Sequence, residues 1–314
     1  MKIAILGSGA LGCTFGAALT EAGHETWLLG RSAAHTEAMR QNGLQVEDAN
    51  GTRRVAVHAT NQPAEAGPAD LVVVLVKSMQ TEAAMRSALA LVGRDTLVMS
   101  LQNGLGHEEI LGQIVGRERV LAGKTYVGGV LLGPGRVLSG IKGKPTLIGE
   151  LDGQITPRVQ RIADAFNGAG LATTISHNII GTMWDKLLIN VATGALSAIT
   201  RLTYGQLYEE PLLKATALAA VTEAMEVAHA MGIRLSITQP EQAWAMASEG
   251  LPYSFKASML QSLEKGSVTE VDFVNGSVVR HGESAGVATP VNATLVACMK
   301  GVERAMKDQQ GASQ

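Results

Sequence analysis

Cysteine is scarce: Cys13 and Cys298 are the only two in 314 residues. Two isolated cysteines make neither a disulfide framework nor a metal-type spacing, and the seven histidines include no H-E-x-x-H pair. An excess of one charge is also missing. Lysine plus arginine number 26 against 28 acids, a formal net charge of −2, so the chain has no general attraction to nucleic acid or anionic lipid. Aromatics make up only 4%, too few for a base-stacking platform. A local basic pocket for a small anion stays open. Long apolar runs are absent as well. The longest strongly aliphatic run, LVVVLV at 71–76, falls far short of the roughly 20 residues of a membrane span. The opening MKIAILGSG is broken by glycine too early for a signal peptide's apolar core. The plain expectation is a cytosolic, metal-free protein.

What is present is apolar and ordered. Apolar residues make up 46% and charged residues 17%, and the length suits two domains better than one core. The first half alternates short aliphatic runs with helical patterns. KIAILG (2–7), ETWLLG (25–30), RVAVHAT (54–60), DLVVVLVK (70–77) and DTLVMSLQNG (95–104) read as strands, with a helix over 10–23. Continuous Val/Leu/Ile runs mark strands covered on both faces, hence a parallel sheet of βαβ units. Further strands are expected in 120–131 and 135–150, the latter a hairpin-like pair near the sheet edge. A helix follows at 157–170 and one last strand within 172–178. Helical patterns then fill 178–199, 211–231, 239–248, 254–265, 269–285 and 290–307, with a frayed tail from 307. The fold class is α/β: a Rossmann-type doubly wound domain over 1–176, then an all-helical domain over 177–314.

The stretch GSGALG places Gly7, Gly9 and Gly12 in a G-x-G-x-x-G pattern, directly after the first strand and opening a helix. Backbone N–H groups and the helix dipole there suit a dinucleotide's pyrophosphate. A glycine-rich turn without ligand is the plainer alternative. The second strand ends LLGRS, with no acid to take a ribose 2′-hydroxyl and with Arg31 in its place. A guanidinium can pair with a 2′-phosphate where a carboxylate would repel it, so NADP is favoured over NAD. A solvated loop arginine is the other reading.

Two polar residues fall at strand carboxyl ends, where ligands of open α/β sheets sit: Lys77 and Asn103. Each could equally be a solvated terminus or a turn residue. In TMWDKLLIN (182–190), the helical wheel gathers Ile180, Trp184, Leu187, Leu188, Val191, Ala195 and Ala198 into an apolar arc. Lys186, Asn190, Thr193 and Ser197 form a narrow polar stripe at i, i+4, i+7 and i+11. A single lysine among small polar residues suits a cleft-lining stripe, with a snorkelling surface lysine as the alternative. Ser267 and Glu270 fit a capping box, so Glu270 read alone is a helix cap, and Ser258 a solvated helix residue.

Taken together, GSGALG, VKSMQT (76–81), QNGLG (102–106), WDKLLIN (184–190) and SMLQ–TEVDFVNG (258–276) resemble the ketopantoate reductase family over nearly the whole chain. The resemblance implies an NADPH-binding Rossmann domain, a helical domain, and reduction of 2-dehydropantoate to pantoate in pantothenate biosynthesis. It assigns Lys186 as the acid that protonates the carbonyl oxygen and Glu270 as its catalytic partner, also near the cofactor, which displaces the capping reading. It implies substrate contacts from Asn190, Ser258 and Asn103. Cofactor contacts are implied for Gly7, Ser8, Gly9, Ala10, Leu11, Gly12, Arg31, Lys77 and Asn103. One departure stands out: Gly194 occupies a position where the family often carries a second asparagine.

The partner implied is a small 2-oxo acid, with no nucleic acid and no membrane, and the apolar C-terminal helices leave room for a homodimer. A divergent family member reducing another 2-oxo acid and a β-hydroxyacid dehydrogenase are the enzymatic alternatives. An NADPH-binding sensor without turnover is the non-enzymatic one.

Overall fold

The structure, a computed structural model, describes the backbone of residues 1–312 and side chains through 308. The chain divides into two compact units. One comprises residues 1–102 and 107–179, the other residues 103–106 and the chain from 180 onward.

In the first unit the elements run β1 (Lys2–Leu6), α1 (Ala10–Glu21), β2 (Glu25–Leu29), α2 (Ala33–Asn42), β3 (Leu44–Asp48), β4 (Gly51–Val55) and β5 (His58–Thr60). They continue with α3 (Pro63–Ala66), β6 (Ala69–Val74), α4 (Thr81–Ser87), β7 (Val92–Ser100), α5 (His107–Val115) and β8 (Val120–Thr125). The last are β9 (Gly128–Gly133), β10 (Arg136–Gly140), β11 (Thr146–Glu150), α6 (Pro157–Gly168) and β12 (Thr173–Ile175).

Eight strands form the main sheet in the order β12-β11-β8-β7-β6-β1-β2-β5. From β5 to β8 every neighbouring pair is parallel, while β11 runs antiparallel to β8. The aliphatic run of β6 shows why the sequence looks as it does. Leu71 and Val73 join one core with Ile5, Phe15 and Phe166, and Val72 and Val74 join the other with Leu6, Met85 and Leu111. All four are 0% exposed, each contributing about 1.5–3 kcal/mol by leaving water. A strand covered on both faces has no polar face to alternate with.

A second, four-stranded sheet, β4-β3-β10-β9, packs on α1 and was not foreseen. It overturns two expectations. The run 54–60 splits, with β4 in the small sheet and β5 in the large one. The expected hairpin within 135–150 does not form. β10 pairs with β3 and β9, whereas β11 crosses to the main sheet and pairs with β8 and β12. Gly143 at φ +70° and Pro145, which has no N–H to donate, break the chain between them.

The second unit contains α7 (Ile179–Thr200, its first residue belonging to the first unit), α8 (Tyr204–Tyr208), α9 (Pro211–Ala230), α10 (Pro240–Ser248), α11 (Ser258–Glu264), α12 (Asn275–Ala285) and α13 (Pro290–Ala312). The wheel reading of α7 holds for Trp184, Leu187, Leu188, Val191, Ala195 and Ala198, all buried, while Ile180 at the helix start is half-buried. Three expectations are corrected. The helix expected from 254 starts at Ser258, because the carbonyls of Tyr253 and Phe255 are engaged by the N–H groups of Gly205 and Tyr204. The helix expected from 269 is a short 3₁₀ turn, Val271–Phe273, followed by α12. The expected fraying from 307 gives way to helix through Ala312, and residues 313–314 lie outside those described. Among the described residues no helix is long and apolar enough to cross a membrane.

Candidate functional site

The glycine loop joins β1 to α1. Gly7 adopts φ +120°, and a Cβ there would stand 2.6 Å from the Leu75 carbonyl carbon and the Val76 nitrogen. A Cβ on Gly12 would stand 2.0 Å from the Gly7 oxygen. At Gly9, by contrast, a Cβ would meet nothing within 4 Å. Two glycines are therefore demanded by packing, and the third leaves bare backbone beside open space. The N–H groups of Gly7 and Ser8 both donate to Leu29 O, at 2.8 and 2.9 Å, fixing the loop to the end of β2. Gly9 caps α1 without any side-chain bond, and the helix's first turn carries no acid. An anion is favoured there by the exposed N–H groups and the helix dipole. Ala10 and Leu11 open the helix.

Arg31 is exposed, in the turn between β2 and α2. Asn61 holds that turn by donating to Gly30 O and to Thr36 Oγ1. Ser32 caps α2 by accepting from the His35 N–H. Lys77 does not end a strand as expected. β6 stops at Val74, and Lys77 is exposed just before a 3₁₀ turn, Ser78–Gln80. Sequence reading passed over Gln102. Its amide donates to Val76 O at 2.7 Å and Thr81 Oγ1 at 2.9 Å, and its oxygen accepts from Ser100 Oγ at 3.0 Å. It thus locks the carboxyl ends of β6 and β7 immediately before Asn103.

Residues 103–106 pack with the second unit. The Leu105 N–H donates to Phe273 O at 3.0 Å, and Gly104, at φ +91°, presses so closely that a Cβ would stand 2.4 Å from that oxygen. Within this unit, Asn103, Asn190, Ser258 and Glu270 line one pocket. Lys186 stands on α7 one turn before Asn190, half-buried, and is not among the pocket's lining residues. Its neighbour Asp185 is structural. Its carboxylate accepts from the N–H groups of Ser236 and Ile237 at 3.0 and 3.1 Å, tying α7 to the segment before α10.

The capping-box reading of Glu270 is overturned. No helix starts at 268, and the Ser267 N–H donates back to Ser262 O to close α11. Glu270 instead precedes the 3₁₀ turn and faces the pocket. The segment is pulled into this shape by Glu303, whose carboxylate accepts from both the N–H and the hydroxyl of Thr269 at 2.7 Å.

Thr193, Gly194, Tyr204, Ala257, Met259 and Val274 complete the lining. The polar stripe of α7 contained Thr193. Tyr204 carried no local signal, and Met259 stood in the quoted SMLQ stretch without an assigned role; tertiary packing brings both there. Tyr204 OH lies 2.9 Å from Thr193 Oγ1, and burial raises its pKa, so it stays a neutral hydrogen-bonding group. Beside Gly194, a Cβ would touch Met259 Cε at 3.4 Å. Ser197, the end of the stripe, donates to Leu202 O at 2.7 Å and closes α7 instead. The described residues hold no cluster of three or more His, Cys, Asp or Glu able to bind a metal.

Two family models match the chain: "Ketopantoate reductase PanE/ApbA" over residues 3–153, and its C-terminal counterpart over 178–303. A 2-dehydropantoate 2-reductase of Pyrococcus horikoshii is 35% identical over 303 residues, covering 96% of this chain and 98% of the relative. The Halobacterium salinarum enzyme of the same name is 34% identical, covering 97% and 99%. A crystal structure of a PanE/ApbA family ketopantoate reductase from Ralstonia eutropha superposes with TM-score 0.89 at 34% identity, covering 98% of this chain and all of that one. D-mandelate dehydrogenase in a ternary structure with NADH and anilino(oxo)acetate gives the same TM-score at 27% identity, covering 98% and 99%. Through both of its halves, the chain belongs to the ketopantoate reductase family.

Proposed function

We propose that this chain is an NADPH-dependent 2-dehydropantoate 2-reductase, converting ketopantoate to pantoate in the cytoplasm. The observation that carries the reading is the pocket of the second unit, which gathers Asn103, Asn190 and the pair Ser258 and Glu270 from three segments distant in sequence. The names of the full-length relatives support the substrate. Gly9, with open space beside its backbone, suits the close approach of a pyrophosphate, and Gly7, Ser8, Ala10, Leu11 and Gly12 shape the turn around it. Arg31, exposed on the turn after β2, would pair with a 2′-phosphate, and Lys77 and Asn103 would flank the nicotinamide end.

When bound, NADPH would supply a hydride for the C2 carbonyl carbon. Lys186 then meets the negative charge growing on the carbonyl oxygen, stabilises it, and delivers the proton that completes the alcohol. Glu270, the lysine's catalytic partner, holds the substrate hydroxyl. Asn190 and Ser258 bind and orient the substrate.

A second reading, reduction of a 2-oxo acid with an apolar side chain, is favoured by Gly194. The nearest atoms beside it are those of the Met259 side chain, an apolar neighbour where the family often carries an asparagine. D-mandelate dehydrogenase shows that the same architecture occurs with an aryl-type ligand. NADPH consumption against ketopantoate and a panel of other 2-oxo acids separates the readings. Turnover on ketopantoate is expected, abolished by Lys186→Ala with NADPH binding intact. Activity on another acid alone favours the second reading. NADPH binding with turnover of none would move the chain to a sensor role.

A further inference from the structure

A chain of hydrogen bonds runs beneath the glycine loop, from the second sheet to the Ser8 carbonyl. The Gly135 N–H donates to His35 Nδ1 at 3.0 Å. A backbone N–H can only donate, so Nδ1 is the bare nitrogen and Nε2 carries the ring proton. Nε2 lies 3.4 Å from Cys13 Sγ, and that sulfur lies 3.4 Å from Ser8 O. The ring therefore donates toward the sulfur and toward the Ser8 carbonyl itself, and the thiol donates to the same carbonyl. His35 and Cys13 are 7% and 0% exposed, which keeps water from substituting for either. Burial holds the His35 pKa below its ordinary value and pushes the Cys13 thiol up to about 12, so both remain neutral.

Peptide planarity turns this chain into geometry. The Ser8–Gly9 peptide is trans, so the Ser8 C=O and the Gly9 N–H point in opposite directions within one rigid unit. Drawing the carbonyl onto Cys13 aims the Gly9 N–H away from it. We propose that His35 and Cys13 are positioning residues for the nucleotide, setting the Ser8–Gly9 peptide plane so that Gly9 presents its N–H to the pyrophosphate. His35 also donates its own N–H to the Ser32 cap, so it braces the turn that carries Arg31 as well. The inference rests on the NADPH reading above.

The test compares full-length wild type with His35→Asn, His35→Gln and Cys13→Ala, measuring the Kd for NADPH, KM, kcat and Tm. An asparagine amide reaches the Nδ1 position, keeping Gly135 but losing Cys13. A glutamine amide reaches the Nε2 position and keeps a donor toward Cys13. Loss of one such hydrogen bond should raise the Kd and KM for NADPH roughly three- to tenfold in His35→Asn and Cys13→Ala, with kcat nearly unchanged. His35→Gln should stay close to wild type. Equal weakening of both His35 variants, or an unchanged Kd with only Tm lowered, overturns the proposal. Wild-type protein that binds no NADPH overturns the cofactor reading and this proposal together. Normal wild-type binding with unaffected variants overturns this proposal alone.

Discussion

Replacing Glu303 by alanine asks how a helix outside the pocket holds a pocket residue in place. Glu303 is 5% exposed on α13, and its Oε1 accepts from the Thr269 N–H and hydroxyl, both at 2.7 Å. Thr269, itself 1% exposed, immediately precedes Glu270. Hydrogen bonds to a charged acceptor contribute about 1.5–3 kcal/mol each, and an abandoned buried donor costs a similar amount. With partial relaxation, the loss from Glu303→Ala should be about 3–5 kcal/mol. The ion pair with Lys300 at 3.4 Å adds little, because Lys300 is 45% exposed. Glutamine keeps a neutral acceptor and should lose about half as much. Urea unfolding followed by tryptophan fluorescence reads the second unit through Trp184 and Trp244, 2% and 6% exposed, once Trp27→Phe removes the first unit's tryptophan. The two units need not unfold together, so the comparison is of the transition reported by those tryptophans. The activity should fall along with stability, because Glu270 loses its anchor. An alanine variant within about 0.5 kcal/mol of wild type, or a glutamine variant less stable than alanine, would refute the reasoning.

Gly104→Ala should cost at least about 2 kcal/mol and most of the activity, since it forces φ +91° on alanine and drives its Cβ to 2.4 Å from Phe273 O. Thermal unfolding and steady-state kinetics check it. Stability should also depend on pH. Burial raises the Glu108 carboxyl from 4.5 to about 8, and its Oε1 has no hydrogen-bond partner. The native state then binds the extra proton between those values, so stability falls as pH rises from 4.5 through 8. Burial lowers the adjacent His107 from 6.5 to about 4, which gives the opposite slope between those two values. Above pH 6.5 Glu108 acts alone, and stability should drop by about 2 kcal/mol by pH 8. Glu108→Gln should flatten that decline, as urea midpoints across the range will show.

The elements most legible in the sequence were those whose own residues dictate them. The β6 run is aliphatic because both faces are covered, and the glycine loop carries two glycines that backbone packing demands. The α7 arc follows from helical period alone. Elsewhere distant partners decided the outcome. Nothing near 135–150 announces that β10 and β11 belong to different sheets, because the choice is made by β3 and β8. Ser267 and Glu270 have a cap's spacing, yet Glu303, more than thirty residues on, redirects that backbone. Lys77 was placed at a strand end because the apolar run outlasts the strand by two residues, Leu75 and Val76. Tyr204 had no period, motif or charge to single it out, and Met259, though inside the SMLQ stretch, had no chemistry to mark it as a lining residue.

The grouping of residues 103–106 with the helical unit also governs how far the two halves are separable. The chain passes from one unit to the other after 102, after 106 and again after 179, so the units are interleaved rather than strung in series. A cut at 179 yields a helical fragment that lacks Asn103, one of its own pocket's lining residues, and Leu105, which bonds to Phe273. Recombining domains between relatives therefore calls for exchanging the 103–106 loop along with the helices, as one inherited unit in two pieces.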